Sequence, residues 1–219
     1  MAVTRTSPRP SARAFAVIAA AGAIAFAAVF RFQRIGRLDF FAAFAVIAAL
    51  AAAASFAADP GYAGRVAADL RSRPAAKAAA GLVSAAVLYI MFVAGGTVSR
   101  LFLPCAAADI ARVYALKSGL PAARVALLVG LVIGPAEELF WRGFVQERLA
   151  GMTGRTGGWL LAALVYAAVH VPTVNPMLVL AAAVCGLFWG GLYARFRSPL
   201  LNVVSHTVWD LLIFVVLPL

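Results

Sequence analysis

The stretch VALLVGLVIGPAEELFWRGFVQERL, residues 125–149, decides how this chain is to be read. A helix rises about 1.5 Å per residue and the hydrocarbon core of a bilayer is about 30 Å thick, so its length suffices for a crossing. Yet Glu137, Glu138 and Arg142 sit near its middle. Insertion scales charge roughly 2.5 to 3.5 kcal/mol for one ionised residue at the centre of a span. Either the stretch stays out of the membrane, or something compensates these groups and uses them.

The remainder of the chain argues for the membrane. Hydrophobic residues make up 64% of the 219 positions and charged residues 12%, against about 25% charged in an ordinary globular domain. So few polar residues cannot clothe a water-facing surface. Six further apolar blocks, at 14–30, 40–58, 78–98, 158–171, 177–193 and 199–219, flank the first, which predicts an all-α, polytopic bundle of about seven transmembrane helices. The first block has a signal-peptide look, with Ala25-Phe26-Ala27 resembling a cleavage site, but the spans that follow favour a retained helix. Residues 59–77 read as a polar loop, and 100–124 as an interfacial helix or long loop. No internal repeat, nucleotide loop or separate soluble domain is evident. The chain divides instead into a motif-free part, 1–124, and a part carrying all the unusual residues, 125–219.

The net charge of +11 would suggest nucleic acid on a soluble protein. Here the cations lie mostly between apolar blocks, where they orient the chain and meet anionic headgroups, so no nucleic-acid partner is expected. With the N-terminus cytoplasmic, the inner segments carry eleven cations and the outer ones seven, and the last two outer segments carry none. Seventeen of the nineteen cations are Arg, and Ala is abundant, a skew that points to a GC-rich, bacterial source and hence to a bacterial cytoplasmic membrane. Cys105 and Cys185 have neither metal-ligand nor redox spacing and are expected to be buried apolar residues.

The only two histidines, His170 and His206, also fall in late spans, as does Asp210. Intramembrane ionisable residues are functional candidates by default. Glu137 lies thirteen residues before Ala150 and His170 twelve after Gly158, each roughly 18 to 20 Å from the same turn. Asp210 lies twelve residues beyond Ser198, at a similar depth, with His206 one helical turn nearer that end. Glu138 and Arg142 stand at i and i+4 in the order that favours an ion pair, while Glu137 is turned about 100° away and left free. A free carboxylate withdrawn from water can serve as a general base, and His170 across the hairpin can share its water. His206 could donate to a developing oxyanion, with Asp210 fixing its tautomer or, if protonated, donating as well. Tyr166, one turn before His170, could line the pocket.

Three segments then resemble one family. EELFWR, residues 137–142, matches its Glu-Glu-x-x-x-Arg motif; YAAVH, 166–170, resembles Phe-x-x-x-His; HTVWD, 206–210, matches His-x-x-x-Asn/Asp. The chain thus resembles the CAAX prenyl protease and bacteriocin-processing (CPBP, Abi) family of intramembrane glutamic endopeptidases over about residues 125–219. The resemblance implies a peptidase without metal or other cofactor. In it Glu137 and His170 activate water, His206 with Asp210 forms the oxyanion hole, and Glu138, Arg142 and Tyr166 support them. Two positions depart from the commonest pattern. Tyr stands for Phe at 166, and Asp at 210 is a poorer oxyanion donor than Asn unless protonated. The implied partners are a peptide or membrane-protein substrate and the lipid bilayer.

Blander readings stand beside this one. Glu138 with Arg142 is as readily a structural ion pair as a catalytic element. The acids and histidines could also satisfy one another in a purely structural network. Trp141 and Trp209 read as packing or interfacial residues, and Asn202 as an optional network member. Two His and two Glu could in principle hold a divalent ion, but no His-Glu-x-x-His pattern is present and none is expected. A proton-coupled transporter with a Glu137–His170–Asp210 relay, and a catalytically silent scaffold or immunity factor, are the competing functions.

Overall fold

Capping residues set the helix boundaries in the computed structural model, which describes residues 11–219; Arg5 and Arg9, counted among the inner cations, lie outside the described residues. Helix α1, Ala12–Phe32, begins where the Ser11 hydroxyl accepts from the Ala14 N–H at 3.1 Å. Helix α2, Phe40–Ala58, begins where Asp39 does the same for Ala42 at 3.1 Å. Tyr62–Arg71 forms α3, Pro74–Phe102 forms α4, and Ala106–Ala115 forms α5. A long helix, α6, then runs over 122–153 and passes through two π-helical segments, Val129–Ile133 and Glu138–Gln146. Gly154, at φ 81° and ψ 168°, breaks the run, and α7 follows over 155–168. Its position outside the region open to L side chains is why a glycine stands there. Helices α8, Pro176–Phe196, and α9, Pro199–Val216, each start with a proline behind a capping side chain, Asn175 and Ser198.

Among the described residues the fold is all-helical, 85% helix with no strand. Five helices are long and apolar enough to cross a membrane: α1, α2, α4, α8 and α9. The expected seven therefore reduce to five on length and composition. Helix α6 is interrupted by its own charged residues, and the fourteen residues of α7 reach only about 21 Å. Even so, Leu131 on α6 is 72% exposed and Leu164 on α7 is 66% exposed, a pattern suited to lipid rather than water. The chain is an integral membrane protein.

Three expectations are corrected. The third apolar block extends to 74–102 as a 29-residue helix. Cys105 is exposed, because it lies in the turn between α4 and α5, whereas Cys185 is buried. Residues 59–77, read as a polar loop, contain α3, whose polar appearance hides two long-range contacts. The Tyr62 hydroxyl donates to the Leu139 carbonyl of α6 at 2.7 Å. The Asp69 carboxylate accepts from the Ser198 hydroxyl at 3.0 Å and the Leu200 N–H at 2.8 Å, capping α9. This short helix braces both elements that carry motif residues.

Helices α6 and α9 meet along Gly130 and Gly134. A Cβ on Gly134 would lie 2.9 Å from Thr207 Oγ1, and Gly130 faces Leu211, so the small residues allow the two backbones to approach closely. The Thr207 hydroxyl donates to the Gly130 carbonyl at 3.3 Å across this seam. Pro135 follows at once, and its missing N–H removes a ladder bond where the helix widens on either side. The seam sets the acids of α6 against His206 and Asp210 of α9.

Candidate active site

The six charged or imidazole groups of the three motifs are all buried, with Glu137, Glu138 and Arg142 from α6, His170 from the end of α7, and His206 and Asp210 from α9. Glu138 is held from every side. Its Oε1 accepts from Arg142 Nη1 at 2.9 Å and its Oε2 from Asn202 Nδ2 at 2.9 Å. His206 Nδ1 lies 2.8 Å from Oε1 as well. A carboxylate already accepting from an arginine and an amide is an acceptor here too, so His206 carries its proton on Nδ1. Asn202 also donates to the Trp189 carbonyl at 2.8 Å. The indole of Trp189 stacks on the His206 ring at 3.7 Å between centroids and donates to Ser205 Oγ at 3.1 Å.

Glu138, not Asp210, therefore orients His206. The expectation that Asp210 fixes the tautomer is corrected by distance: its Oδ2 is 3.6 Å from His206 Nε2, on the opposite side of the ring from Nδ1. Glu137 Oε2 is 3.9 Å from the same Nε2. Both separations are too long for a direct hydrogen bond, so neither acid engages Nε2, which is left free for a third group.

Glu137 contrasts with its neighbour. Its Oε1 is buried without a hydrogen-bond partner. It faces a cavity of about 100 Å³, to which His170, His206, Asp210 and Tyr166 also contribute. That space admits a few waters or part of a peptide. The His170 Nδ1–H donates to the Tyr166 carbonyl at 2.8 Å, and since a carbonyl only accepts, the lone pair of His170 resides on Nε2. The structure thus brings Glu137, His170, His206 and Asp210 to one cavity. It sets Glu138 and Arg142 behind them, with the Arg142 guanidinium 4.5 Å from the centre of the Tyr166 ring.

Several contributors were not singled out by their sequence setting. Phe30 of α1 lies over His170, with ring centroids 4.0 Å apart, and Phe40 and Phe44 of α2 complete that wall. Trp189 of α8 carries no motif. Asn202, read from the sequence as an optional network member, is in the network, and 202, 206 and 210 repeat at i+4 along one helix face. Trp141 packs among Phe26, Phe140 and Tyr166, as its packing reading anticipated. As for a metal, no group of three or more His, Cys, Asp or Glu among the described residues has the disposition of a ligand set. The Arg142 guanidinium already occupies the best-held carboxylate.

Fold and site together define a polytopic membrane protein with an acid-histidine cluster enclosed by its helices. Residues 119–212 match the model of the family described as Rce1-like, Type II CAAX prenyl endopeptidase Rce1-like, so this part of the chain is similar to that family. The resemblance read from the three motifs agrees with this match. No curated protein and no solved structure matches the chain. The family so matched is one of CAAX-type endopeptidases.

Proposed function

We propose that this protein is an intramembrane endopeptidase that hydrolyses peptide bonds of membrane-associated substrates with a water activated by Glu137 and His170. The observation that carries the proposal is the division of labour between two adjacent acids. Glu138 is saturated by Arg142, Asn202 and His206, while Glu137 presents an unpartnered oxygen to a cavity shared with both histidines.

In this reading Glu137 takes a proton from water as the water oxygen bonds to the scissile carbonyl carbon. The carbonyl electron pair moves to its oxygen, which accepts from His206 Nε2–H. His206 bears that proton as an imidazolium, balanced by Glu138 across 2.8 Å. Asp210, in its protonated form, is a second donor. Collapse of the tetrahedral carbon breaks the C–N bond, and the leaving amine takes the proton held by Glu137, with His170 as relay. No metal or cofactor enters this scheme.

The topology belongs to the same proposal. Helices α6 and α7 complete seven crossings, the N-terminus is cytoplasmic, and the membrane is that of a bacterium. The cavity then lies toward the outer face, on the side of Phe40, Leu116 and Phe214. Residues 125–219 supply the chemistry and 1–124 the enclosing wall.

The test compares the N-termini of membrane and secreted proteins in cells making wild type or Glu137→Gln at matched abundance. New N-termini seen only with wild type support the proposal and name its substrates. Identical profiles from two folded proteins would sink it in favour of a scaffold or transporter.

A further inference from the structure

Trp189 of α8 belongs to no motif, yet it touches the site directly. Its side chain is buried and lies flat against the His206 ring, with centroids 3.7 Å apart and planes inclined by 21°. It also contributes to the wall of the cavity that Glu137 faces. Both ends of the residue are tied to the part of α9 that leads up to His206. The indole N–H donates to Oγ of Ser205, the residue before His206, at 3.1 Å, and the main-chain carbonyl accepts from Asn202, one turn earlier, at 2.8 Å. A ring held at two points on the helix that carries its neighbour has little freedom to slide off that neighbour.

His206 needs such a restraint. Its Nδ1 is anchored on Glu138 Oε1 at 2.8 Å, but one hydrogen bond tolerates tens of degrees of bending and leaves the imidazole plane free to tilt. A tilt of about 30° would carry Nε2 about 1 Å from its place, and a misplacement of that size can cost about 10²-fold in rate. Glu137 and Asp210, at 3.9 and 3.6 Å from Nε2, are too far away to prevent it. The stacked indole does prevent it, because a tilt toward Trp189 drives an imidazole edge into its face. That face also has an electrostatic part. Arg142 and His206 both bond to Oε1 of Glu138, and the guanidinium lies 5.5 Å from the centre of the Trp189 ring. When His206 is an imidazolium, two cations share one carboxylate oxygen, and the negative π face of the indole lies against one and within reach of the other.

We propose that Trp189 is a positioning residue: its indole fixes the plane of His206, aims Nε2 into the cavity and stabilises the charge that His206 carries as the oxyanion forms. The proposal rests on the endopeptidase reading for what Nε2 is aimed at. Trp189 acts through His206 and not on the substrate, so its loss should lower kcat and leave KM unchanged.

The test reads His206 directly and then turnover. The chain has two histidines, so the imidazole ¹⁵N and ¹H signals of the whole protein in lipid nanodiscs form two sets, and His170→Asn tells them apart. In wild type the His206 set should be displaced upfield by the indole ring current. Trp189→Leu should cancel that displacement and broaden or split the set, whereas Trp189→Phe, which keeps an aromatic face, should retain a single displaced set. Turnover is measured on a peptide spanning a cleavage site found by comparing N-termini between wild type and Glu137→Gln. Trp189→Leu should lower kcat at least tenfold at unchanged KM, and Trp189→Phe should recover it to within fivefold of wild type. If Trp189→Leu does not fold, Ser205→Ala decides. It keeps the indole, removes the acceptor that registers it, and should shift the His206 set and lower kcat at least threefold. A folded Trp189→Leu protein with wild-type kcat, a loss confined to KM, or His206 signals that ignore both substitutions overturns the proposal. An indole-dependent His206 set together with identical N-terminal profiles for wild type and Glu137→Gln would leave the positioning standing and remove the protease. New N-termini with turnover indifferent to Trp189 would do the reverse.

Discussion

Glu137 and Glu138 are neighbours on one helix and both are buried, yet they occupy opposite kinds of environment. Around Glu138 every strong donor within reach is engaged: a guanidinium, an amide and an imidazole converge on two oxygens. Around Glu137 one oxygen has no partner and the nearest imidazole nitrogen is 3.9 Å away. The difference teaches how a membrane protein can keep a reactive acid. A buried ion pair is a costly element unless its carboxylate is otherwise hydrogen-bonded, and both oxygens of Glu138 are; the knot supplies a frame against which an unsatisfied acid can be held. The side that is complete is structural, and the side that is incomplete is available for chemistry.

The sharpest way to break this contrast is Glu137→Gln. On the proposed endopeptidase reading the substitution keeps shape and removes the base, so proteolysis should fall by about 10²- to 10⁴-fold, the range for loss of a general base, with thermal stability unchanged in detergent. Glu138→Ala should act the other way round. It strands Arg142 and His206 in the bundle interior, and breaking a buried pair by removing one partner costs about 3 to 5 kcal/mol. Size-exclusion profiles and thermal unfolding should show a protein made in low yield. A Glu138→Ala protein as stable as wild type would mean that the knot is not the frame.

Asn202→Ala sharpens the comparison at smaller cost. It removes one donor from Glu138 and one from the Trp189 carbonyl, about 1 to 3 kcal/mol if both acceptors stay dry. The expected result is a lowered unfolding temperature with residual proteolysis, since Arg142 and His206 still hold Glu138. Phe30→Leu tests the cavity side. Its ring covers His170 from a helix with no motif, and losing one aromatic contact costs about 0.5 to 1.5 kcal/mol. Here turnover should change more than stability, because His170 loses its wall while the Glu138 knot is untouched.

How much of this was legible beforehand follows from where the information lies. The i, i+4 spacing of Glu138 with Arg142 and of His206 with Asp210 is local, and counting residues from shared turns placed the three helices' polar groups at one depth. The pairing of Glu138 with His206 was not legible, because it depends on which faces of α6 and α9 meet. That contact is decided by Gly130, Gly134 and the widening around Pro135, none of which announces a direction in sequence. Helix α3 was missed for a related reason. Its ten residues look like a charged loop, and only the fold reveals that Tyr62 and Asp69 reach α6 and α9 from 77 and about 130 residues away. Length and composition single out five spans and leave out α6, which buries its charges against neighbouring helices, and α7, which is short.

Tyr166→Phe carries the smallest expected effect and bears on how the site tolerates departures from its motif. The family pattern has Phe at this position, so the hydroxyl must be dispensable unless this chain has given it work. The contact that orients His170 comes from the Tyr166 backbone carbonyl, which the substitution leaves in place at 2.8 Å. The ring beneath the Arg142 guanidinium, at 4.5 Å, is kept as well. Only the phenolic oxygen at the cavity is lost, and turnover should change by less than about threefold, within the small energies of a single neutral hydrogen bond. A tenfold loss at unchanged stability would mean that the hydroxyl touches the substrate or the attacking water. The free side of the acid pair would then have three reactive contributors where the motif names two.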